Sequence, residues 1–159
     1  MDSLHKISDI IDQICGYVLI FLFALMTITY FGQIFLRYVV GTGFSWTEEV
    51  TRYADIWAIM IGSAMIAKRR IHINVSVLEE VLKGKSKDWL LVIQQVISFG
   101  FFLAMFFIAF NFIKISGSQV TTNLRIPKAW VYSIFPPAFG IFVFQTFVGI
   151  IDAVQEARK

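Results

Sequence analysis

The sequence predicts an all-α integral membrane protein with four transmembrane helices, amphipathic surface helices and both termini in the cytoplasm. Composition is the first reason. Of 159 residues, 57% are hydrophobic and only 16% are charged, and 17 are Phe; a soluble domain carries roughly a quarter charged residues. So much apolar surface cannot be hidden in one small core, and lipid must cover the rest. Span length is the second reason, because four segments reach the ~20 helical residues that a bilayer requires. They run from about 14 to 36, 45 to 67, 89 to 113 and 129 to 151, within one transmembrane domain over 1–159. Charge asymmetry is the third. Four spans put both termini and the middle loop on one side, with Lys6, Lys68, Arg69, Arg70, Lys83, Lys85, Lys87, Arg158 and Lys159. Only Arg37, Arg52, Lys114, Arg125 and Lys128 fall on the other. The basic excess marks the cytoplasmic face.

The N-terminal stretch "MDSLHKISDIIDQIC" holds three aspartates and one lysine ahead of the apolar run, which argues against a secretory signal. Leu4, Ile7, Ile11 and Ile14 recur at helical spacing, so this segment is expected to lie along the membrane surface and lead into the first span. That span ends at Arg37 and Tyr38, before a Gly-Thr-Gly turn. Cys15, the single cysteine, excludes an internal disulfide and reads as a small apolar filler. The second span starts near Ser45 and stops at Lys68, Arg69 and Arg70. Beyond it, Val75, Leu78 and Leu82 share one helical face, with His72 just ahead. This is the pattern of a short helix on the inner leaflet, its flanking basic clusters meeting anionic headgroups. Trp89 and Trp130 mark helix ends at the interface. Gln94, Gln95 and Asn111 in the third span are expected to bond between helices. In the fourth span Pro136 and Pro137 stand in mid-membrane, where each removes a backbone donor, and a kink is expected.

The least ordinary stretch is "FSWTEEVTRYADIW", residues 44–57. Between Ile56 and Ala67 the second span has only 12 uncharged residues, covering roughly 18 Å of a ~30 Å hydrocarbon core. With Lys68 at the cytoplasmic boundary, Asp55 lies about 18 Å in and Arg52 some 22–23 Å in. Glu48 and Glu49 reach the far interface, where water is accessible. Glu48, Arg52 and Asp55 share a face at i, i+4 and i+3 spacing, so they are expected to pair. A lone charge at the bilayer centre costs ~2.5–3.5 kcal/mol on insertion scales, and the face is therefore expected to meet protein. Ala54, Ala58 and Gly62 form an adjacent small-xxx-small ridge that lets a helix come close. Arg37 is placed to pair with Glu48 or Glu49. Three readings of this stretch stay open: glue within the bundle, a surface for a partner membrane protein, or an ion pathway through Asp55.

Other chemistry is not encoded. His5 and His72 both fall at or beyond the cytoplasmic leaflet, which argues against a bis-His haem. No P-loop, dinucleotide fingerprint, catalytic triad or zinc-protease motif is present. The residues point away from an enzyme and toward no cofactor or metal on this chain.

"FSWTEEVTRYADIW…GSAMIAKRRIHINVSVLEE" resembles the signature region of the small, DctQ-like membrane subunit of tripartite ATP-independent periplasmic (TRAP) transporters. The positions that carry the resemblance are Trp46, Glu48, Glu49, Arg52, Tyr53, Gly62, Arg69, His72, Ile73 and Val75. The family often has an acidic residue after that valine, where this chain has Ser76. "IPKAWVYSIFPPAFG" resembles the pattern before and within the family's last span. The resemblance implies a non-catalytic small permease subunit in the bacterial inner membrane. It implies a large multi-span partner that carries the substrate and sodium sites, and a periplasmic binding protein that delivers a carboxylate solute. Trp46, Glu48, Glu49, Arg52, Ala54, Asp55, Ala58 and Gly62 would then form an interface with the large subunit. The alternative is a stand-alone oligomeric transporter or channel that uses Asp55 as its ionisable coupling residue.

Overall fold

In the computed structural model, which describes residues 2–41, 44–68 and 85–157, the chain is a row of long helices. Helix α1 spans Asp2–Phe35 and runs into a π-helical turn, Leu36–Val40. Gly41 ends that turn at φ 75°, a left-handed conformation that glycine adopts without steric cost. Helix α2 spans Ser45–Lys68, α3 spans Lys85–Ser116, α4 is the short Lys128–Tyr132, and α5 spans Phe135–Ala157. α1 pairs with α2 and α3 pairs with α5; α2 and α5 join the two pairs. Among the described residues, three segments are long and apolar enough to cross a membrane: Leu4–Val39, Trp89–Ser116 and Lys128–Gln155. α2 is 24 residues long, which is roughly 36 Å, but its ionisable residues keep it out of that group. The expected surface helix over residues 75–82, with Arg69, Arg70 and His72, lies outside the described residues.

Small side chains set the joints. Ala54, Ala58 and Ile61 of α2 are buried against Cys15 and Leu22 of α1 and Ile134. One turn further on, Ala64 and Ala67 meet Phe142 of α5, which stacks on Phe102 of α3 at 4.4 Å. Gly149 of α5 lies under Gln95 of α3, whose Oε1 is 3.0 Å from where a Cβ would stand. Lipid is as apolar as leucine, so helices in it associate through such close packing and through polar contacts. Asn111, by contrast, is exposed.

Two expectations about the chain's course need correction. The N-terminal segment is not a separate surface helix, because α1 is unbroken from Asp2 to Phe35 and no proline interrupts it. Its inward positions are Ser8, Cys15 and Leu22, while Ile7 and Ile14 are exposed. Polar contacts draw that end inward: Ser8 Oγ donates to Gln145 Oε1 at 2.7 Å, and Lys68 Nζ pairs with Asp9 at 2.7 Å. Asp12 lies 3.8 Å from the same ammonium, and His5 lies 3.4 Å from Asp152 of α5. Lys68, expected at the lipid surface, is thus engaged within the chain.

The fourth span also differs. It breaks at residues 133–134, ahead of the prolines, and Pro136 and Pro137 sit in the first turn of α5. Prolines fit there because the first-turn donors have no intrahelical acceptor. Ser133 Oγ donates to Trp130 O at 2.7 Å, and Trp57 Nε1 of α2 donates to Val131 O at 2.8 Å. The break is therefore stitched to α2 by a half-buried indole.

Ala64 is fully buried at the joint of α2 with α5. Ala64→Leu is expected to cost about 1–3 kcal/mol by overpacking, read as a lower unfolding temperature in detergent. An unchanged melting curve would contradict the packing described.

Candidate functional site: the outer half of α2

The sequence of α2 divides into two faces. Thr47, Glu49, Thr51, Ala54, Ala58, Ile61, Ala64 and Ala67 are buried. Glu48, Arg52, Asp55, Ile59 and Ile66 are exposed and follow one another at three-, four- and seven-residue steps, so they form a single stripe. Its inner part is apolar, and its outer part is charged.

Glu49 departs most from the sequence reading. It is only 8% exposed, not facing water. Its carboxylate accepts the backbone N–H groups of Thr122 at 2.9 Å, Asn123 at 3.1 Å and Leu124 at 2.9 Å. The α3–α4 loop makes this possible. Thr121 N donates to Ile126 O, Lys128 N donates to Gln119 O, and Arg125 takes a left-handed φ of 51°. That tight turn points three successive N–H groups at one carboxylate, as an anion-binding backbone nest does. Charge-assisted bonds of this kind are roughly twice as strong as neutral ones. Asn123 Nδ2 adds a bond to Ser45 O at 3.1 Å, so the loop is fastened across the first turn of α2.

The Ala54–Ala58–Gly62 ridge is likewise occupied by this chain. Ala54 and Ala58 are buried against α1, and a Cβ on Gly62 would meet Leu19 at 3.9 Å. Glu49, Ala54, Ala58 and Gly62 therefore serve the protein's own packing and leave no surface for another helix. The sequence suited either use, since small residues admit any neighbour.

Glu48, Arg52 and Asp55 remain outside. Together with Tyr30 and Gln33 of α1 they line an open cleft of about 410 Å³. The pairing expected from their spacing is not formed: among the described residues, Arg52 and Asp55 make no ion pair with each other or with any other side chain. Arg37 does not reach Glu48 either. Gln33 Nε2 donates to Glu48 Oε1 at 3.2 Å, and Arg37 lines a neighbouring cleft with Gln33, Phe44 and Glu48. Trp46 is 46% exposed and leans on Phe44, their ring centroids 6.1 Å apart. The contribution of α1 was missed in the sequence, although Gln33, polar inside an apolar helix, was the available signal.

Sequence comparison decides the family. Residues 26–156 match the DctQ component of the tripartite ATP-independent periplasmic transporters. This chain belongs to that family. It is 35% identical over 74 residues to a candidate TRAP transporter small permease protein of Haemophilus influenzae, covering 46% of this chain and 44% of that protein. A C4-dicarboxylate TRAP transporter small permease protein of Vibrio cholerae is 25% identical over 80 residues, covering 50% of this chain and 34% of the relative. The chain thus spans less than half of each of these two. A sialic acid TRAP transporter small permease protein of Vibrio cholerae is 24% identical over 149 residues, covering 88% of this chain and 86% of the relative. The DctQ-family chain is accordingly a multi-pass protein of the bacterial inner membrane, and its family is a transporter component rather than a group of enzymes.

Replacing Glu49 with Ala removes the shared acceptor of three backbone donors, and the loop is expected to open roughly tenfold more often at that end of α2. Hydrogen exchange of the Thr122, Asn123 and Leu124 amides reports it. Faster exchange there, against little change for Glu48→Ala, is the expected pattern; equal protection in both variants would refute the fastening role.

Proposed function

We propose that this chain is the non-catalytic small permease subunit of a sodium-coupled, binding-protein-dependent transporter for carboxylate solutes. It enlarges the scaffold of a large multi-span membrane subunit, on which the substrate and sodium sites lie. A periplasmic binding protein delivers the solute. The observation that carries this reading is where the chain spends its polarity. Its helix joints are filled by Ala54, Ala58, Ala64, Ala138 and Phe142, while Glu48, Arg52 and Asp55 of α2 stand on the outside. An interior filled with alanine and phenylalanine suits a static support, and outward charges suit assembly with a partner. Relatives named for C4-dicarboxylate and sialic acid transport support the carboxylate class.

In this reading α2 is the second of four spans, and both termini with Lys68, Arg69 and Arg70 face the cytoplasm, in keeping with the basic excess there. The segment around Val75, Leu78 and Leu82 braces the scaffold on the inner leaflet. Asp55 in an open cleft favours one alternative, a stand-alone transporter or channel.

Liposomes separate the two. The chain reconstituted alone is expected to give no solute flux, and uptake is expected only with the large subunit, the binding protein and a sodium gradient. Flux through the isolated chain would overturn the scaffold reading.

A further inference from the structure

The exposed stripe of α2 carries an acid and a base next to each other, whereas α3 exposes Asn111 and Lys114 near its end and the outer faces of α1 and α3 are otherwise largely apolar. Those faces carry Ile20, Phe21, Phe31, Ile97, Phe101 and Phe107, all well exposed and all content in acyl chains. The α2 stripe instead sets Arg52 and Asp55 on one face of the helix, without ion-pair partners among the described residues. Glu48 has Gln33, and Arg37 stands in the adjoining cleft. Asp55, one turn deeper, has no cation but Arg52, which forms no ion pair with it. Hydrocarbon is a poor cover for such a pair, and one residue further along the stripe Ile59 is 58% exposed. A surface that is apolar at one end and carries an acid and a base outside any ion pair at the other fits a helix that supplies the opposite charges.

Resting on the reading above, we propose that the α1–α2 cleft, and not the outer face of α3, seats a transmembrane helix of the large subunit, which brings a cationic side chain to Asp55 and an acceptor to Arg52. Tyr30 and Gln33 form one wall of the seat, and Ile59 and Ile66 continue it toward the cytoplasmic end. Glu49 takes part only indirectly, by fixing the end of α2.

Cross-linking tests this in the assembled complex. Cys15 is buried, so a photo-cross-linker on a cysteine at Ile59→Cys or Ile97→Cys, in a Cys15→Ala background, reports one face each. Cross-linking to the large subunit from position 59 and not from 97 is expected. Asp55→Asn and Arg52→Gln are each expected to reduce co-purification of the large subunit about tenfold, the loss of one interhelical polar contact in a membrane. Asp55→Glu should retain most of it, and Ile97→Ala all of it. If the wild-type chain brings down no large subunit, the scaffold reading itself fails. If it does, but position 59 labels only lipid, or Asp55→Asn co-purifies as well as wild type, the seat proposed here is wrong.

Discussion

Close approach of α2 to α1 and α5 is the constraint on which the rest of this structure depends, because lipid supplies no hydrophobic drive to press helices together. Packing must do it, and packing needs surfaces without bulk. α2 provides them with Ala54, Ala58, Ala64 and Ala67, all nearly inaccessible. Once α2 is seated, its neighbours follow. α1 lies along the ridge, α5 brings Phe142 to its inner end, and α3 reaches the row through stacked Phe102. Substituting bulk at one alanine therefore moves two joints at once.

Polar groups then lock what packing positions. Glu49 and Lys68 lie near the two ends of α2, where a polar group costs least. At one end Glu49 gathers the three amides of the α3–α4 loop, and Trp57 holds the backbone at the start of the last span. At the other, Lys68 draws the aspartates of α1 to α2, while Ser8 and Gln145 bond between α1 and α5. Glu49 and Glu48 are neighbours in sequence, yet one closes the protein's own loop and the other lies in the open cleft. A step of one residue turns a helical side chain by about 100°, which is enough to separate those two roles.

Much of this was legible in the residues. Long apolar runs, an α2 interrupted by charge, and an alanine ridge at four-residue spacing each follow from local pattern. So does the turn before Pro127, since proline suits the edge of a helix start. Less legible was what each feature would meet. The stripe Leu4, Ile7, Ile11, Ile14 suggested a surface helix, but Ser8 and Cys15 face inward because α5 offers Gln145 and α2 offers Ala58 and Ile61. The spacing of Glu48, Arg52 and Asp55 permits pairing, but Glu48 bonds Gln33 and the other two stand in the cleft without forming an ion pair.

By itself, the sequence determined that the chain is helical, that lipid covers much of it, and that α2 carries one small face and one ionisable face. Periodicity and hydropathy are local properties, and they suffice for that. Only the tertiary structure decided that the small face is already filled by α1, that Glu49 is turned inward to the loop, and that Arg52 and Asp55 are left outside. Those outcomes depend on residues distant in the chain, such as Cys15 and Leu22 for the small face and Asn123 for Glu49. No periodicity within one helix carries that information.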